Sequence, residues 1–539
     1  MTFRTETRLI AAVLAIAACR GNEVRVAPTG GRAGPSSAAP ADYLVVVPHA
    51  FAVTVAPLIE LRRRQGHGVV TRFVEDVVRS RPAAPSHEEA LRDEISALAA
   101  EYPALHFVLL AGDPRGDDAV PTFHRKLGAW VGEGLGDDYA TDHPFALFRD
   151  HPLAVGRLPA RTTAELEGMV SKIIAYESDA PDAWARRVLV FAGPANFGPQ
   201  LDPVIEDFAT STLDSEVPHE FDLGVVFAQP TSAYAFRFDR LGSEMASEMS
   251  GGALLAVFAG HGSPRSFDTV RYRHTRYPIG TASDLAAIDA SHGNPIFVAI
   301  TCSAGAFDAP ERSISETAML NPHGAIASFG AAAFSGAYVN VLVSDEILQS
   351  LLVARAPTVG DAILTAKTRL PGASSILKYA FGDGTGDMAT SADAIAEHLF
   401  IYNLFGDPAT RPAYPERAKI ELYAAVEPPD SPFDVVVSLP AAGFARVEVT
   451  LETERTRLRQ GILAPDALDR LDLPAAFEAM EKDHALANDK VVSRATAAVE
   501  GRTARLHLES PTTPGSYWVR ALALGPSHAA AGAERIEVR

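Results

Sequence analysis

The chain reads as an α/β protein: a parallel sheet with helices on both faces, followed by an antiparallel β-sandwich. Three observations predict this. From Tyr43 to about Pro412, short continuous apolar runs alternate with helical segments, a pattern in which strands pair in parallel and both sheet faces are covered. After Pro412 the apolar residues alternate within turn-bounded runs, as in half-buried antiparallel strands. The 539 residues are 47% hydrophobic and 21% charged, an ordinary globular composition with room for about two to four domains.

Each element has its own local reason. Tyr43-Leu44-Val45-Val46-Val47 is a continuous apolar run bounded by polar sequence, hence a buried strand. A helical stretch from Val55 to Arg64 follows, and a second strand begins at Val69. Ser86 with Glu89 forms a capping box that opens a helix running to about Ala100. Pro103 stops that helix, and His106 to Ala111 is a third strand. Thr162 with Glu165 caps a helix whose Leu166, Val170, Ile173 and Ile174 share one face. Further strands are predicted at Arg187 to Ala192, Val225 to Ala228, Ala253 to Ala259, Ile296 to Thr301 and Ala325 to Phe329. The sandwich, about 120 residues, takes its strands from Ile420 to Val426, Phe433 to Leu439, Ala445 to Leu451, Ala504 to Leu508 and Tyr517 to Leu524. A helical excursion near Asp466 to His484 interrupts it.

The amino terminus is a different kind of sequence. Leu9 to Ala18 is an apolar run too short to span a bilayer but suited to a signal-peptide core. It ends Ile16-Ala17-Ala18-Cys19, which resembles a bacterial lipobox, so residues 1–19 are predicted to be a lipoprotein signal peptide with Cys19 lipidated. The alternative is an ordinary secretory signal that happens to abut a cysteine. Residues 20–41, rich in Gly, Pro, Ser and Ala, form a flexible linker. The mature protein is then expected in the cell envelope, as an outer-membrane or surface lipoprotein, or else secreted. Its lipid anchor would be its only membrane contact. Lys plus Arg total 48 against 67 Asp plus Glu, a net charge of −19, which disfavours nucleic acid as a partner. Two cysteines, Cys19 and Cys302, exclude a disulfide scaffold and a multi-cysteine metal site.

Two segments carry the chemistry. Ala253 to Ser263 (ALLAVFAGHGS) is an apolar run that stops at Gly260-His261-Gly262, and Pro295 to Phe307 (PIFVAITCSAGAF) contains one that stops at Cys302. In open parallel sheets functional groups collect at the carboxyl ends of strands, so His261 and Cys302 are predicted to share a crevice. A free thiol is only a few per cent ionised at neutral pH, and an adjacent imidazole can take its proton and later protonate a leaving amine. A glycine beside the histidine permits close backbone approach and frees an N–H for an oxyanion, with the Cys302 N–H as a second donor. The chain has other His-Gly dipeptides, at His67, His292 and His323, but each precedes a strand; only His261 follows one. Gly112-Asp113-Pro114 and Gly406-Asp407-Pro408 read as turn tripeptides, since they lack the Lys-Ser/Thr of a phosphate loop.

These two blocks together resemble the His-Gly and Cys blocks of the gingipain-type cysteine peptidases, peptidase family C25, which share a caspase-like fold. Four further blocks are similar in order: Val108 to Pro114, Leu153 to Glu177 with its Val-Gly-Arg start, Ser344 to Gln349, and Tyr402 to Thr410. The resemblance implies a caspase-like sheet with an N-terminal α/β subdomain at 42–185, a catalytic subdomain at 186–412, and an immunoglobulin-like β-sandwich at 413–539. It implies an endopeptidase with Cys302 as nucleophile, His261 as catalytic imidazole, and Gly262 and Cys302 N–H groups as the oxyanion hole. Protein or peptide substrates follow, and no cofactor is required. For the substrate pocket the resemblance points to Asp150, with Asp142 and His151 nearby, and to an aromatic wall at Tyr338 or Phe334; a turn aspartate beside Pro152 is the commoner reading of Asp150. A structural calcium could sit at Gly136-Asp137-Asp138 or Gly382-Asp383-Gly384, where carboxylates and turn carbonyls converge, though solvated loops are the commoner outcome. Two other readings stay open: a sortase-like transpeptidase of a secretion system, and a catalytically silent surface binding protein of the same fold.

Overall fold

The computed structural model describes residues 40–131, 138–147, 152–196, 214–375, 390–459 and 461–539. Cys19, Asp150 and the calcium candidates other than Asp138 lie outside these residues.

Ten strands form the main sheet: β1 (Ala41–Val47), β2 (Gly68–Phe73), β3 (Phe107–Ala111), β4 (Ala154–Leu158), β5 (Arg187–Ala192), β6 (Asp222–Phe227), β7 (Leu255–Ala259), β8 (Ile296–Ile300), β9 (Ala327–Ala331) and β10 (Tyr402–Phe405). Their spatial order is β2-β1-β3-β4-β10-β9-β8-β7-β5-β6. Pairing is parallel from β2 through β4 and from β9 through β6. One strand of this otherwise parallel sheet runs against its neighbour. Strand β10 runs antiparallel to β9, with Tyr402 opposite Ala331 and Phe405 opposite Ser328, and meets β4 only at Phe405 opposite Arg157. It returns directly from the helix Ala392–Ile401, so no crossover forces a parallel direction.

Successive residues of these strands enter opposite cores, as the two-residue strand period requires. Tyr43, Val45 and Val47 of β1 join one apolar cluster, with Val55, Leu58 and Ile59 of α1 (Ala52–Arg64) and Leu166, Met169 and Ile173 of α2 (Thr163–Ser178). Leu44 and Val46 join another, with Leu91, Ile95 and Leu98 of the helix His87–Glu101. In β8, Ile296, Val298 and Ile300 face the first cluster while Phe297 and Ala299 face a third. The helix caps fall where the sequence places them: Ser86 Oγ accepts from the Glu89 N–H and Thr162 Oγ1 from the Glu165 N–H.

The two Gly-Asp-Pro tripeptides are more than turns. The fully buried Asp407 carboxylate accepts from the Tyr43 hydroxyl (2.9 Å), from Arg62 Nε (2.8 Å) and from the Ala409 N–H (2.9 Å). Asp113, equally buried, accepts from Arg161 Nε (3.0 Å) and Arg312 Nη1 (2.6 Å). Arg312 also bonds the Pro159 carbonyl at 2.9 Å. One guanidinium from the loop after β8 therefore ties down the loops after β3 and β4, and a buried carboxylate so paired is held by charge-assisted bonds.

The C-terminal region forms two facing sheets. Strands β11 (Lys419–Leu422), β12 (Pro432–Ser438), β13 (Arg446–Thr453), β14 (Val491–Ala498), β15 (Thr503–Glu509), β16 (Gly515–Leu524) and β17 (Ala529–Val538) supply them. One sheet is β11-β12-β15; the other contains β17-β16-β13-β14, flanked by short pieces at Glu416–Arg417 and Val426–Glu427. Val435, Val437, Val449, Leu451, Leu506 and Val519 fill the space between. Strands β14 and β17 escape the sequence reading because their alanine-rich runs (VVSRATAA, AAAGAERIEV) have little contrast between faces.

The helical excursion leaves the sandwich. Its helix Leu473–Asn488 lies against β6, the edge strand of the main sheet: Asn488 Oδ1 accepts from the Val225 N–H (2.9 Å), and the Val225 carbonyl accepts from Asn488 Nδ2 (3.0 Å). Phe477 and Met480 join the core beneath. Side chains thus occupy edge groups that would otherwise recruit another strand. Among the described residues no helix is long and apolar enough to cross a membrane.

Candidate functional site

Four neighbouring parallel strands deliver one group each to a common edge. In spatial order, β9 leads to Ser335, β8 to Cys302, β7 to His261 and β5 to Ala195. Register brings them level, with Ala259 opposite both Ile300 and Ala192.

Both glycines of the Gly-His-Gly segment are required by its geometry. Gly260 has φ +152°, a conformation that side chains rarely adopt. A Cβ on Gly262 would stand 2.5 Å from Thr301 Oγ1 and 3.4 Å from the Cys302 carbonyl oxygen. The two loops therefore touch backbone to side chain at this point, which fixes the histidine loop beside the cysteine loop. The turn after Cys302 places Ser303 at φ +56°, the left-handed region a non-glycine residue enters only when its surroundings hold it there. The Ser303 N–H donates to the Ala333 carbonyl (2.9 Å) and the Gly305 N–H to the Ala331 carbonyl (2.7 Å).

His261 Nε2 lies 2.8 Å from the Ala195 carbonyl oxygen. A carbonyl only accepts, so Nε2 carries the proton, and in the neutral ring Nδ1 is the basic nitrogen. The Ala195 carbonyl is a main-chain oxygen, for which no side-chain signal exists. Cys302 is a half-buried free thiol, and its sulfur lies 3.4 Å from the Ser335 nitrogen and 3.5 Å from the Ser335 carbonyl oxygen. Among the described residues, neither the Gly262 nor the Cys302 N–H donates to a main-chain carbonyl. Two main-chain donors beside a thiol can receive a developing oxyanion.

Of the pocket candidates, Asp142 is committed elsewhere. Its oxygens accept from Arg157 Nε and Nη2, both at 2.7 Å, and it is only 6% exposed. Tyr338 lies in the first turn of the helix Ala337–Leu348, 3% exposed, its hydroxyl accepting from the Ser375 N–H. The exposed aromatic of this segment is Phe334, 40% accessible and 6.0 Å from the Trp130 ring. The other His-Gly histidines sit away from the site: His67 pairs with Asp42 at 2.9 Å, and His292 with Asp179 at 3.3 Å. No group of three or more His, Cys, Asp or Glu side chains among the described residues is placed to hold a metal ion.

His398 closes the wall behind the Ser335 loop. Its Nε2 accepts from the Gly336 N–H at 2.8 Å and its Nδ1 donates to the Ala394 carbonyl. Burial pushes the imidazole down to about 4, whereas an unfolded histidine titrates near 6.5. Protonation would remove the acceptor from Gly336. The unfolded chain therefore binds the proton first as pH falls, so this contribution to stability is complete above about pH 6.5 and declines towards pH 4. Between pH 7 and pH 4.5 the wild type is expected to lose about 2 kcal/mol more stability than His398→Gln. Urea denaturation of both proteins at the two pH values measures this; equal losses would show that His398 is not the group responsible.

The sequence profile of peptidase family C25 matches residues 36–413. No curated protein matches the chain in sequence. Among solved structures, the Arg-specific cysteine proteinase gingipain R superposes with a TM-score of 0.52 at 16% identity, over 93% of this chain and 98% of that one. The complex of Porphyromonas gingivalis RgpB pro- and mature domains gives 0.49 at 15% identity, over 92% of this chain and 100% of that one. At such identities the likeness is one of fold: a caspase-like α/β region with a β domain after it.

Proposed function

The chain belongs to peptidase family C25 and is a cysteine peptidase, and from that premise we propose that it is an extracytoplasmic endopeptidase working through Cys302 and His261. The observation that carries this is the convergence of Ala195, His261, Cys302 and Ser335 at adjacent strand ends.

In this reading His261 Nδ1 accepts the thiol proton while Nε2–H stays on the Ala195 carbonyl, which holds the ring and stabilises the imidazolium. The thiolate attacks a peptide carbonyl, and the oxygen that gains charge is received by the Gly262 and Cys302 N–H groups. The imidazolium protonates the departing amine, leaving a thioester on Cys302. Water, deprotonated by the same imidazole, then attacks the thioester; the carboxylic product leaves and the thiol is restored. Lipidation at Cys19 would keep the enzyme on a membrane surface and leave Cys302 without an intramolecular disulfide partner.

The test is active-site labelling with a biotinylated peptidyl acyloxymethyl ketone, followed by peptide mass spectrometry. Labelling is expected on Cys302, with hydrolysis of a mixed peptide library lost in proportion. Undiminished hydrolysis after full alkylation of Cys302 would exclude this mechanism. Products ligated to an added amine, in place of free carboxylates, would identify a transpeptidase instead.

A further inference from the structure

We propose that Ser335 is a catalytic residue of this site, whose main-chain N–H and hydroxyl hold the Cys302 sulfur as a thiolate. The inference rests on Cys302 being the nucleophile. Three contacts join the two residues. The Ser335 N–H donates to Sγ at 3.4 Å, the Ser335 hydroxyl lies 3.8 Å from Sγ, and the thiol S–H reaches the Ser335 carbonyl at 3.5 Å. The carbonyl favours the thiol form, while the N–H and O–H favour the thiolate. Ionisation therefore turns on whether the hydroxyl proton points at sulfur.

A buried chain of side chains sets that direction. Asn340 Nδ2 donates to Ser335 Oγ at 2.9 Å, occupying the hydroxyl as an acceptor and leaving its proton for another partner. The Tyr402 hydroxyl donates to Asn340 Oδ1 at 2.7 Å, with the amide nitrogen turned to the serine. Ser335, Asn340 and Tyr402 are 4%, 9% and 1% exposed, so no bulk water competes for these bonds. Burial holds the Tyr402 phenol well above its usual range, against a smaller lowering by the Ser335 hydroxyl. The Gly336 N–H bond to His398 pins the next peptide of the same loop. Asn340 and Tyr402 act through Ser335 and are positioning residues.

The experiment is the pH dependence of iodoacetamide alkylation, read on the Cys302 peptide of the full chain, beside kcat and KM. Ser335→Ala removes the hydroxyl donor and keeps the carbonyl. Its alkylation midpoint is expected to rise by about one pH unit. Its kcat at neutral pH should fall roughly tenfold with KM changed less than twofold, and Ser335→Thr should restore both. Asn340→Asp keeps the shape but offers the serine only acceptor oxygens, so the hydroxyl turns away from sulfur. It is expected to raise the midpoint in the same direction, giving a second variant should Ser335→Ala fail to fold. Unchanged midpoints in the folded variants overturn the proposal. Alkylation needs no peptide substrate, so the two readings separate: a raised midpoint with hydrolysis persisting in Cys302→Ala overturns the catalytic role while preserving the contact.

Discussion

Replacing Cys302 by alanine is expected to lower kcat/KM on a peptide substrate by at least about 10⁴-fold. In the proposed mechanism the change deletes the atom that forms the thioester, and no second thiol among the described residues can substitute. Any remaining rate would come from the oxyanion donors and substrate binding alone. Stability should hardly move, because Cys302 is half-buried and, among the described residues, the hydrogen bonds of its sulfur are the weak ones to Ser335. His261→Ala should cost about 10³-fold or more by the same logic, since the thiol then loses its base and the amine its acid. The two losses should not add when the changes are combined, because both residues serve one proton transfer. Progress curves with a quenched fluorescent peptide, beside thermal melts, measure all three proteins. A Cys302→Ala enzyme within tenfold of wild type would place the chemistry elsewhere.

The second large effect lies in the Val-Gly-Arg block. Arg157, with no exposed surface, gives five hydrogen bonds: two to Asp142, two to the Gly112 and Val120 carbonyls, and one to Pro121. Arg157→Met keeps the apolar stem but leaves the buried Asp142 carboxylate without its counter-charge, with only the Thr122 hydroxyl (2.8 Å) still donating to it, and leaves three carbonyls unpaired. Removing one partner of such a buried pair costs about 3–5 kcal/mol. Asp142→Asn should cost less, since an amide oxygen can still accept from the guanidinium. Arg157→Met combined with Asp142→Leu should recover part of the loss, because no buried charge then remains. Guanidinium denaturation midpoints decide this; a loss below about 1 kcal/mol for Arg157→Met would mean that water reaches the site. The arginine of this motif is thus a clip between strand β4 and the loops after β3, and Asp142 is its partner, unavailable to a substrate.

Much of the fold was legible because it is local. The continuous apolar runs at Tyr43 to Val47 and Ile296 to Ile300 can only be buried strands, and Ser86 and Thr162 cap helices through neighbours three residues on. Strand β10 was not legible as an antiparallel member. Its four residues look like any buried strand, and its direction depends on a return path that local pattern does not record. The helix Leu473–Asn488 was visible as a helix, but its partner, the Val225 edge of β6, lies some 260 residues earlier in the chain. The Asp407 carboxylate read as part of a turn because Arg62 and Tyr43 are far away in sequence.

The site divides along the same line. The placement of His261 and Cys302 at one sheet edge was legible because each ends an apolar run, and a parallel sheet gathers strand ends at one edge. The Ala195 carbonyl and the Ser335 clasp were not, since a main-chain oxygen has no residue signature and a serine after an alanine run has an undistinguished one. By itself the sequence determined which side chains are candidates for the chemistry and which strands carry them, because side-chain type and strand period are local properties. The tertiary structure alone decided their order, β9-β8-β7-β5, and with it which neighbours hold the imidazole and the sulfur. Strand order is set by crossover connections and by packing on both sheet faces, and those are sums over the whole chain.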